Sequence, residues 1–274
     1  MSSTDPVAVV TGASRGIGAA VAIELANRGH RVLATMRNVA ASDKLLSAAG
    51  SAVELIDVVA LDVTAPGDFC FPETTAVLVN NAGGMEDDLP FEVTPMDQWR
   101  RTFELNVFAA VELTRRVVPI MRARRGGVIC NFSTAATLQP TPWVSAYRAA
   151  KAAVSALDDS LRIELAPFGI RVVEIVPAIV DTDALYECAV IRPPEAVRFA
   201  EYAEMAKRTT AGFEQIRHLA TPPAVAAAAI VDAIFDNEGP MRRGCDPVAR
   251  AALKNWRKSS DEDLYQAAVS GAAE

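Results

Sequence analysis

The 274 residues are 51% hydrophobic and 22% charged with a net charge of −7, which permits a large buried core and argues against disorder and a nucleic-acid surface. The four cysteines form no CxxC pair, the N-terminus has no signal-peptide pattern, and no run of about 18 apolar residues occurs. We therefore expect a cytoplasmic protein with no membrane span and no metal centre.

The chain opens on a unit of strand, glycine loop, helix and strand. Residues 6–10 are a short apolar run, typical of a strand buried on both faces. A glycine-rich loop follows, then a helical pattern that ends at Gly29 and a second apolar strand at 31–35. Glycines let the backbone approach a pyrophosphate, and the next helix presents free N–H groups to it. The loop residues predicted to contact a dinucleotide are Gly12, Ser14, Arg15, Gly16, Ile17 and Gly18.

The same loop also matches GxSxG, the sequence around the nucleophile of α/β-hydrolases, with Ser14 at its centre. A hydrolase needs several strands before this elbow and a histidine late in the chain. Only one strand precedes Ser14, and His218 would have to serve because His30 directly follows the first helix. The hydrolase interpretation is therefore the weaker one.

The end of the second strand bears on the choice between NAD and NADP. An NAD site usually has an acidic residue here that binds the ribose 2′-hydroxyl. The sequence has Ala-Thr-Met-Arg at 34–37, and Arg37 joins Arg15 as a candidate pair of guanidinium groups for a 2′-phosphate. Two solvated arginines are the alternative. The missing acid and the two bases favour NADP(H) over NAD(H).

Further short apolar runs predict strands at 53–61, 77–79, 128–132 and 171–176. Apolar residues at helical spacing predict helices at 97–121, 147–168, 223–235 and, as a surface helix broken near 259–260, at 249–273. Prolines exclude a full helix between the third and fourth strands, and 183–218 shows no clean period. The alternation predicts one α/β domain over 1–274, with 183–218 as its substrate loop.

Tyr147 and Lys151 lie four residues apart at the start of a predicted helix, so both side chains share one face. Lowering a tyrosine pKa from about 10 to about 7 takes roughly 4 kcal/mol. A unit charge about 5 Å away supplies roughly 3 kcal/mol at an effective dielectric near 20, and a positive cofactor ring could supply the rest. The pair is a candidate proton donor and acceptor, although the same spacing also occurs on solvated helix faces.

These motifs, in this order, resemble the classical short-chain dehydrogenases/reductases over nearly the whole chain. Residues 11–18 are similar to that family's TGxxxGIG, 80–83 to its NNAG, and 147–151 to its YxxxK. Residues 34–37 and 165–170 look like the 17β-hydroxysteroid-type, NADP-preferring branch. The resemblance implies a Rossmann-type doubly wound α/β fold, with a parallel sheet of about seven strands and helices on both faces.

The resemblance also implies a role for each matching residue. Tyr147 would be the general acid/base that protonates a carbonyl oxygen as NADPH delivers hydride, or the reverse. Lys151 would hold the nicotinamide ribose and lower the pKa of Tyr147, and Asn106 would anchor a water that relays protons to Lys151. The other implied cofactor contacts are Asp62 and Val63 at the adenine, Asn80, Ala82 and Gly83 at the ribose and backbone, and Pro177, Val180 and Thr182 after the sixth strand.

Three positions depart from the family pattern. Thr134 stands where the family usually has a serine, and its hydroxyl can bond the substrate oxygen while its methyl crowds the site. Ser133 is expected to point to the other face of the strand, although an irregular strand end could exchange the two. Ala178 replaces a glycine and must avoid a glycine-only backbone shape, and Ala76 replaces a common acid beside the clipped crossover.

We therefore predict an NADP(H)-dependent oxidoreductase that interconverts a ketone and a secondary alcohol on a bulky, fairly apolar small molecule. The apolar bias rests on loop residues expected to rim the pocket, with ordinary loop packing as the alternative: Met85, Leu138, Trp143, Leu185 and Tyr186. Small residues at 149–153 permit close helix contact, and the family's habit predicts a homodimer or homotetramer. The rival class is a cofactor-binding regulator or scaffold without catalysis. An intact Tyr147, Lys151 and Asn106 argue against it.

Overall fold

The computed structural model describes residues 5–86, 89–183, 185 and 195–273. Within them, parallel strands form one seven-stranded sheet in the order β3-β2-β1-β4-β5-β6-β7. The strands are β1 (Val7–Thr11), β2 (Arg31–Met36), β3 (Ile56–Ala60), β4 (Thr75–Asn80), β5 (Gly127–Phe132), β6 (Ile170–Val176) and β7 (Arg242–Gly244). The strand order reverses between β1 and β4, and ligands bind at such a switch point in open α/β sheets. The predicted doubly wound α/β fold is confirmed.

Helices cover both faces of this sheet. They are α1 (Gly16–Asn27), α2 (Asp43–Ala49), α3 (Met96–Phe103), α4 (Ala109–Ala123), α5 (Ser145–Leu165), α6 (Ala203–Ile216), α7 (Pro223–Phe235), α8 (Pro247–Trp256) and α9 (Asp261–Ala273). Short 3₁₀ helices lie at Val39–Ala41, Gly50–Leu55, Phe91–Val93, Ala135–Thr137, Ala166–Phe168, Glu195–Arg198 and Arg217–Leu219. No helix among the described residues is both long and apolar enough to cross a membrane.

Two hydrophobic cores lie on opposite faces of the sheet because successive strand side chains point to opposite sides. Val10 packs with α1 and α7 residues such as Leu25 and Ile230. Its neighbour Val9 packs with α4 residues such as Leu113 on the other face. This double burial explains why the inner strands read as continuous apolar runs rather than as alternating ones.

Two predicted elements differ from the structure, one at its start and one in its interior. The predicted strand at 53–61 begins only at Ile56, because Gly50–Leu55 forms a 3₁₀ turn that leads into β3. The predicted helix at 97–121 is present, but a π-helical turn at Glu104–Phe108 separates α3 from α4. Apolar spacing alone does not distinguish a continuous helix from one with an inserted residue.

The C-terminal half contains elements that the sequence patterns missed. Helix α6 lies inside 183–218, where we expected no regular period. Strand β7 has only three residues, so it is too short for a periodic signal. The expected absence of a helix between the third and fourth strands is confirmed at 61–74. The tail helix is interrupted after Trp256 as predicted, but Ala249 and Leu253 of α8 are buried rather than at the surface.

Candidate active site

The glycine loop after β1 is locked to the end of β4. Ala82 N donates to Thr11 Oγ1 at 3.0 Å, and Asn81 Nδ2 donates to the Thr11 carbonyl at 2.8 Å. Gly12 and Gly16 have φ values of +65° and +61°, a left-handed backbone that side-chain-bearing residues rarely adopt. These bonds place two of the predicted cofactor motifs together at the carboxyl edge of the sheet.

The first turn of α1 fits a dinucleotide pyrophosphate. Arg15 occupies the N-cap with extended backbone and makes no side-chain cap bond, and the first turn carries no acidic residue. A helix N-terminus of this kind favours an anion through its N–H groups and dipole. A Cβ built on Gly16 would meet Thr182 Cγ2 at 3.5 Å, so the segment after β6 reaches the same loop. Ser14 and Ile17 are half-buried in this loop.

Asn106 lies in the π-helical turn, where it is only 3% exposed. Gly84 N donates to Asn106 Oδ1 at 3.2 Å, and Asn106 Nδ2 donates to the Gly84 carbonyl at 2.9 Å. The same Nδ2 donates to the Thr102 carbonyl at 2.9 Å. A Cβ built on Gly83 would lie 2.9 Å from Asn106 Oδ1 and 3.3 Å from Lys151 Nζ. The Asn106 amide and the Lys151 ammonium therefore converge on Gly83.

Lys151 is 5% exposed, and its Nζ donates to the Phe132 carbonyl at 3.0 Å. Its Nζ also lies 5.7 Å from the centroid of the Tyr147 ring. Burial lowers the pKa of Lys151 to about 8, because a charged ammonium is costly away from water, while Asp158 opposes this shift. The α5 helix thus brings a buried amine and a half-buried phenol together, as the spacing of four predicted.

The hydroxyls of Thr134 and Ser133, just after β5, bond different partners. Thr134 caps the turn at Ala135–Thr137, with its Oγ1 accepting from Ala136 N at 3.3 Å. Ser133 is buried, and its Oγ lies 3.1 Å from Ser155 Oγ on α5. Ser133 therefore contacts α5, whereas the Thr134 hydroxyl caps the turn that follows it.

Arg37 is exposed at the end of β2, next to Asp62 at the end of β3. Two bonds from Thr64 lower the pKa of Asp62, and the positive charge of Arg37 adds to that effect. Val63 is buried beside Asp62. The charges of Arg37 and Asp62 therefore lie close together at the edge expected to hold the adenosine end of a dinucleotide.

Ala178 takes an ordinary backbone conformation, since the only non-glycine residues with positive φ in the described chain are Arg125 and Trp143. Its N–H donates to Asp246 Oδ2 at 2.8 Å, and Asp246 Oδ1 accepts from Ala249 N at 2.8 Å. This fully buried carboxylate ties the segment after β6 to α8, a link that sequence reasoning missed. Nearby, Val180 is buried, and Pro177 and Thr182 are half-buried.

The expected pocket rim is only partly assembled. Met85 and Trp143 line a small cavity with Tyr147. Leu138 packs instead with Val176 and Leu253 in a separate cluster. Leu185 is buried, and Tyr186 lies outside the described residues.

Trp143 connects the start of α5 to α6. Its Nε1 donates to Thr209 Oγ1 at 3.2 Å, and its ring meets Tyr202 edge-on at 5.6 Å. Its φ of +69° is unusual for a bulky residue, and the contacts with Thr209 and Tyr202 hold the indole in this position. Trp143, two residues before the helix that carries Tyr147, therefore contacts a helix of the predicted substrate loop.

A family model described as short chain dehydrogenase matches residues 6–189, which include β1 to β6 and each motif above. The chain belongs to the short-chain dehydrogenase/reductase family. Members of this family are oxidoreductases, and the relatives named below carry dehydrogenase or oxidoreductase names.

Two curated members of the short-chain dehydrogenase/reductase family illustrate the range of similarity. An uncharacterized short-chain type dehydrogenase/reductase of Sinorhizobium fredii is 40% identical over 183 residues, 67% of this chain and 73% of that protein. The 7alpha-hydroxysteroid dehydrogenase of Escherichia coli is 32% identical over 231 residues, 81% of this chain and 85% of that protein. The matched stretches span 46% to 73% of the first four curated relatives.

Solved structures of short-chain dehydrogenases/reductases share this fold. One from Streptomyces avermitilis is 32% identical with a TM-score of 0.74, covering 92% of each chain. A metagenomic member in complex with NADP is 34% identical with a TM-score of 0.59, covering 65% of this chain and 85% of that one. The likeness places the glycine loop of this short-chain dehydrogenase/reductase in a fold that binds NADP in a known relative.

Proposed function

We propose that this chain is an NADP(H)-dependent oxidoreductase that interconverts a ketone and a secondary alcohol on a bulky, fairly apolar substrate. The observation that carries the proposal is the convergence of Lys151 and Asn106 on Gly83, with the Tyr147 ring centroid 5.7 Å from Lys151 Nζ. The similarity to a hydroxysteroid dehydrogenase supports an apolar substrate class. Met85 and Trp143 beside Tyr147 support it as well.

NADPH would supply the hydride when bound. The backbone of the glycine loop and the N-terminus of α1 would hold its pyrophosphate, and Arg15 and Arg37 its 2′-phosphate. Asp62 and Val63 would lie at the adenine end. The remaining contacts would come from Ala82, Gly83, Lys151, Pro177, Val180 and Thr182. Asn80 is buried behind this edge, bonded to Thr114 and Asn131, so we propose that it acts by fixing the strand end.

Tyr147 would move the proton. In reduction its Oη–H donates to the carbonyl oxygen of the substrate, and in oxidation the phenolate takes the hydroxyl proton back. The buried ammonium of Lys151 favours the phenolate form because its charge lies close in a poorly screened site. Asn106 holds the Gly84 backbone and so fixes the floor of the site, and Thr134 would orient the carbonyl oxygen with its hydroxyl.

A panel of ketones and secondary alcohols, followed by the absorbance of the reduced cofactor, tests the proposal. We expect turnover with bulky apolar ketones and NADPH. If NADPH binds but no member of a broad panel is turned over, a cofactor-binding regulator or scaffold becomes the better description. The hydrolase interpretation has lost its support, because Ser14 lies in the glycine loop of a short-chain dehydrogenase/reductase.

Removing the Arg37 guanidinium should weaken NADPH binding selectively. We expect Arg37→Ala to raise the Kd for NADPH about 10- to 100-fold, the range of one or two charge-assisted hydrogen bonds, and to leave NADH binding unchanged. Fluorescence titration of the reduced cofactor measures both constants. Arg31→Ala is the matched control, because Arg31 lies at the opposite end of β2, where it pairs with Asp57 at 2.8 Å. Equal affinity of the unaltered protein for NADPH and NADH would refute the preference.

Thr134 should act through its hydroxyl. We expect Thr134→Val to lower kcat/KM about 100-fold, as expected when a donor to a developing oxyanion is removed. Thr134→Ser should keep or raise the rate because it removes only the crowding methyl. Thr141→Val controls for the loss of a loop hydroxyl, because the Thr141 hydroxyl donates to the Gln139 carbonyl at 3.2 Å. A Thr134→Val enzyme as fast as the unaltered one would show that the hydroxyl does not touch substrate.

We also propose that the chain forms a homodimer or homotetramer through α5. Ala152 and Ile163 are exposed on that helix, and Ile163 is 77% exposed. Ala150, one of the predicted contact residues, is instead buried inside the protomer. Sedimentation velocity distinguishes a monomer from these oligomers. We propose further that residues 1–274 form a single catalytic domain, with 183–218 as its substrate loop. We also propose that the protein is cytoplasmic. The described cysteines Cys70, Cys130 and Cys245 are free thiols, which supports a reducing compartment.

A further inference from the structure

Asp158 is a buried acid that the proposed mechanism does not use. It lies on α5 seven residues after Lys151, about two helical turns, and therefore on the same face. Its exposed fraction is 0%. A carboxyl group buried between α5 and the sheet needs a compensating partner, because burial penalises the ionised form.

The partners of Asp158 are neutral. Asn131 Nδ2 donates to its Oδ1, and Asn131 Oδ1 accepts from Asn80 Nδ2 at 2.8 Å. Within the described residues, Asp158 Oδ2 has no hydrogen-bond partner. Asn131 precedes Phe132, whose carbonyl accepts from Lys151 Nζ. Two consecutive residues of β5 thus hold the acid and the amine.

The charged groups around Asp158 offer it little compensation. On β6, Glu174 Oε2 accepts from Arg242 Nε of β7 at 2.7 Å. The same arginine donates to Asp159 Oδ2 at 2.8 Å, so its charge is shared between two carboxylates. Cys130 of β5 is a buried thiol. On α5 itself the nearby charges are those of Asp159 and Lys151. Lys151 is the buried cation near Asp158 that has no carboxylate partner among the described residues.

Burial raises the pKa of Asp158 to about 8, against the opposing effects of the Asn131 hydrogen bond and the Arg242 charge, while the charges of Glu174 and Asp159 add to the rise. Burial lowers the pKa of Lys151 to about 8, and the charge of Asp158 acts in the opposite direction. The two groups therefore lose their protons over the same alkaline range, and each protonation state affects the other.

We propose that Asp158 is a positioning residue that keeps the proton on Lys151 under alkaline conditions. When Asp158 ionises, its negative charge two turns along α5 favours the ammonium form of Lys151. Tyr147 then keeps its positive neighbour at a pH where a buried lysine alone would be neutral. This inference rests on the proposed role of Lys151 in the reaction.

The pH dependence of kcat/KM tests the proposal. Seven residues correspond to about 10 Å along a helix, and two unit charges at that distance and an effective dielectric near 20 shift a pKa by about one unit. Asp158→Asn keeps the size of the side chain and its bond to Asn131. We expect it to shift the alkaline limb of the profile, where kcat/KM falls with rising pH, to lower pH by about one unit. Glu164→Gln removes an exposed carboxylate near the end of the same helix and should leave the limb in place. An unmoved limb in Asp158→Asn overturns the proposal.

A second measurement does not depend on turnover. In protein labelled with carboxyl-¹³C aspartate, the Asp158 resonance is identified by its absence in Asp158→Asn. We expect it to titrate in the alkaline range and to move to higher pH in Lys151→Met, because the cation that favours the carboxylate is gone. A resonance that titrates in the ordinary acidic range, or that Lys151→Met leaves in place, contradicts the proposal. If the Asp158 titration responds to Lys151→Met in a protein that turns over no ketone, the proposed function is refuted and the coupling of Asp158 to Lys151 stands.

Discussion

Replacing Tyr147 with phenylalanine is expected to lower kcat for carbonyl reduction about a thousandfold, within the range of general acid–base catalysis. The substitution removes only the hydroxyl, so the ring that lies 5.7 Å from Lys151 Nζ remains in place. Because the loss falls on proton transfer, the Kd for NADPH should change little. Steady-state kinetics with a ketone from the panel and a fluorescence titration of NADPH give the two numbers.

Tyr265→Phe is the matched control for this experiment. Tyr265 is an exposed tyrosine on α9, and we assign it no role in the site. Its variant should keep the full rate. If Tyr147→Phe reduces the same ketone as fast as the unaltered enzyme, the assignment of the general acid/base is wrong, whatever happens to cofactor affinity.

Gly18→Ala is expected to weaken NADPH binding at least about 100-fold and to lower the free energy of unfolding by about 1–3 kcal/mol, the usual cost of overpacking. A Cβ at this position would lie 2.3 Å from Asn81 Nδ2 and 2.5 Å from the Gly12 carbonyl oxygen. The carbonyl belongs to the backbone of the glycine loop, and Asn81 Nδ2 is bonded to the Thr11 and Gly12 carbonyls. The loop must therefore move, and the start of α1 moves with it.

Gly126→Ala controls for the general effect of adding a methyl group to a glycine. A Cβ on Gly126 meets nothing within 4 Å, so this variant should keep both its stability and its cofactor affinity. Urea unfolding and fluorescence titration report the two effects separately. Gly18→Ala with unchanged NADPH affinity would show that the loop does not carry the pyrophosphate.

Much of the fold was predictable because its signals are local. The apolar runs of β1, β2, β5 and β6 predict strands buried on both faces, and the helix at Pro223–Phe235 was predicted with the observed bounds. The tyrosine–lysine spacing also depends on nothing but helical geometry. Asparagine is mildly unfavourable inside a helix, so the position of Asn106 in the predicted helix at 97–121 indicates that its side chain is either exposed or bound to another group. The structure adds that it binds the Gly84 backbone from a π-helical turn.

Other features depend on which distant segments meet. Trp143 was predicted at the pocket rim, but its bond to Thr209 needs α6, which has no signal that we detected in the sequence. Leu138 was placed at the same rim, and it packs against α8 instead. Asp158 and Asp159 look alike in sequence, as two adjacent acids on a helix. Only the packing of α5 on the sheet buries one and exposes the other.

The sequence by itself determined the order of the first six strands, the glycine loop, and the candidate acid/base pair on one helix face. These properties follow from side-chain periodicity and from backbone shapes that single residues prefer. Only the tertiary structure decided that Asn106 and Lys151 converge on Gly83, and that the acid two turns from the amine, Asp158, is fully buried. Burial and electrostatic coupling arise from contacts between residues far apart in the chain, so a local pattern does not record them.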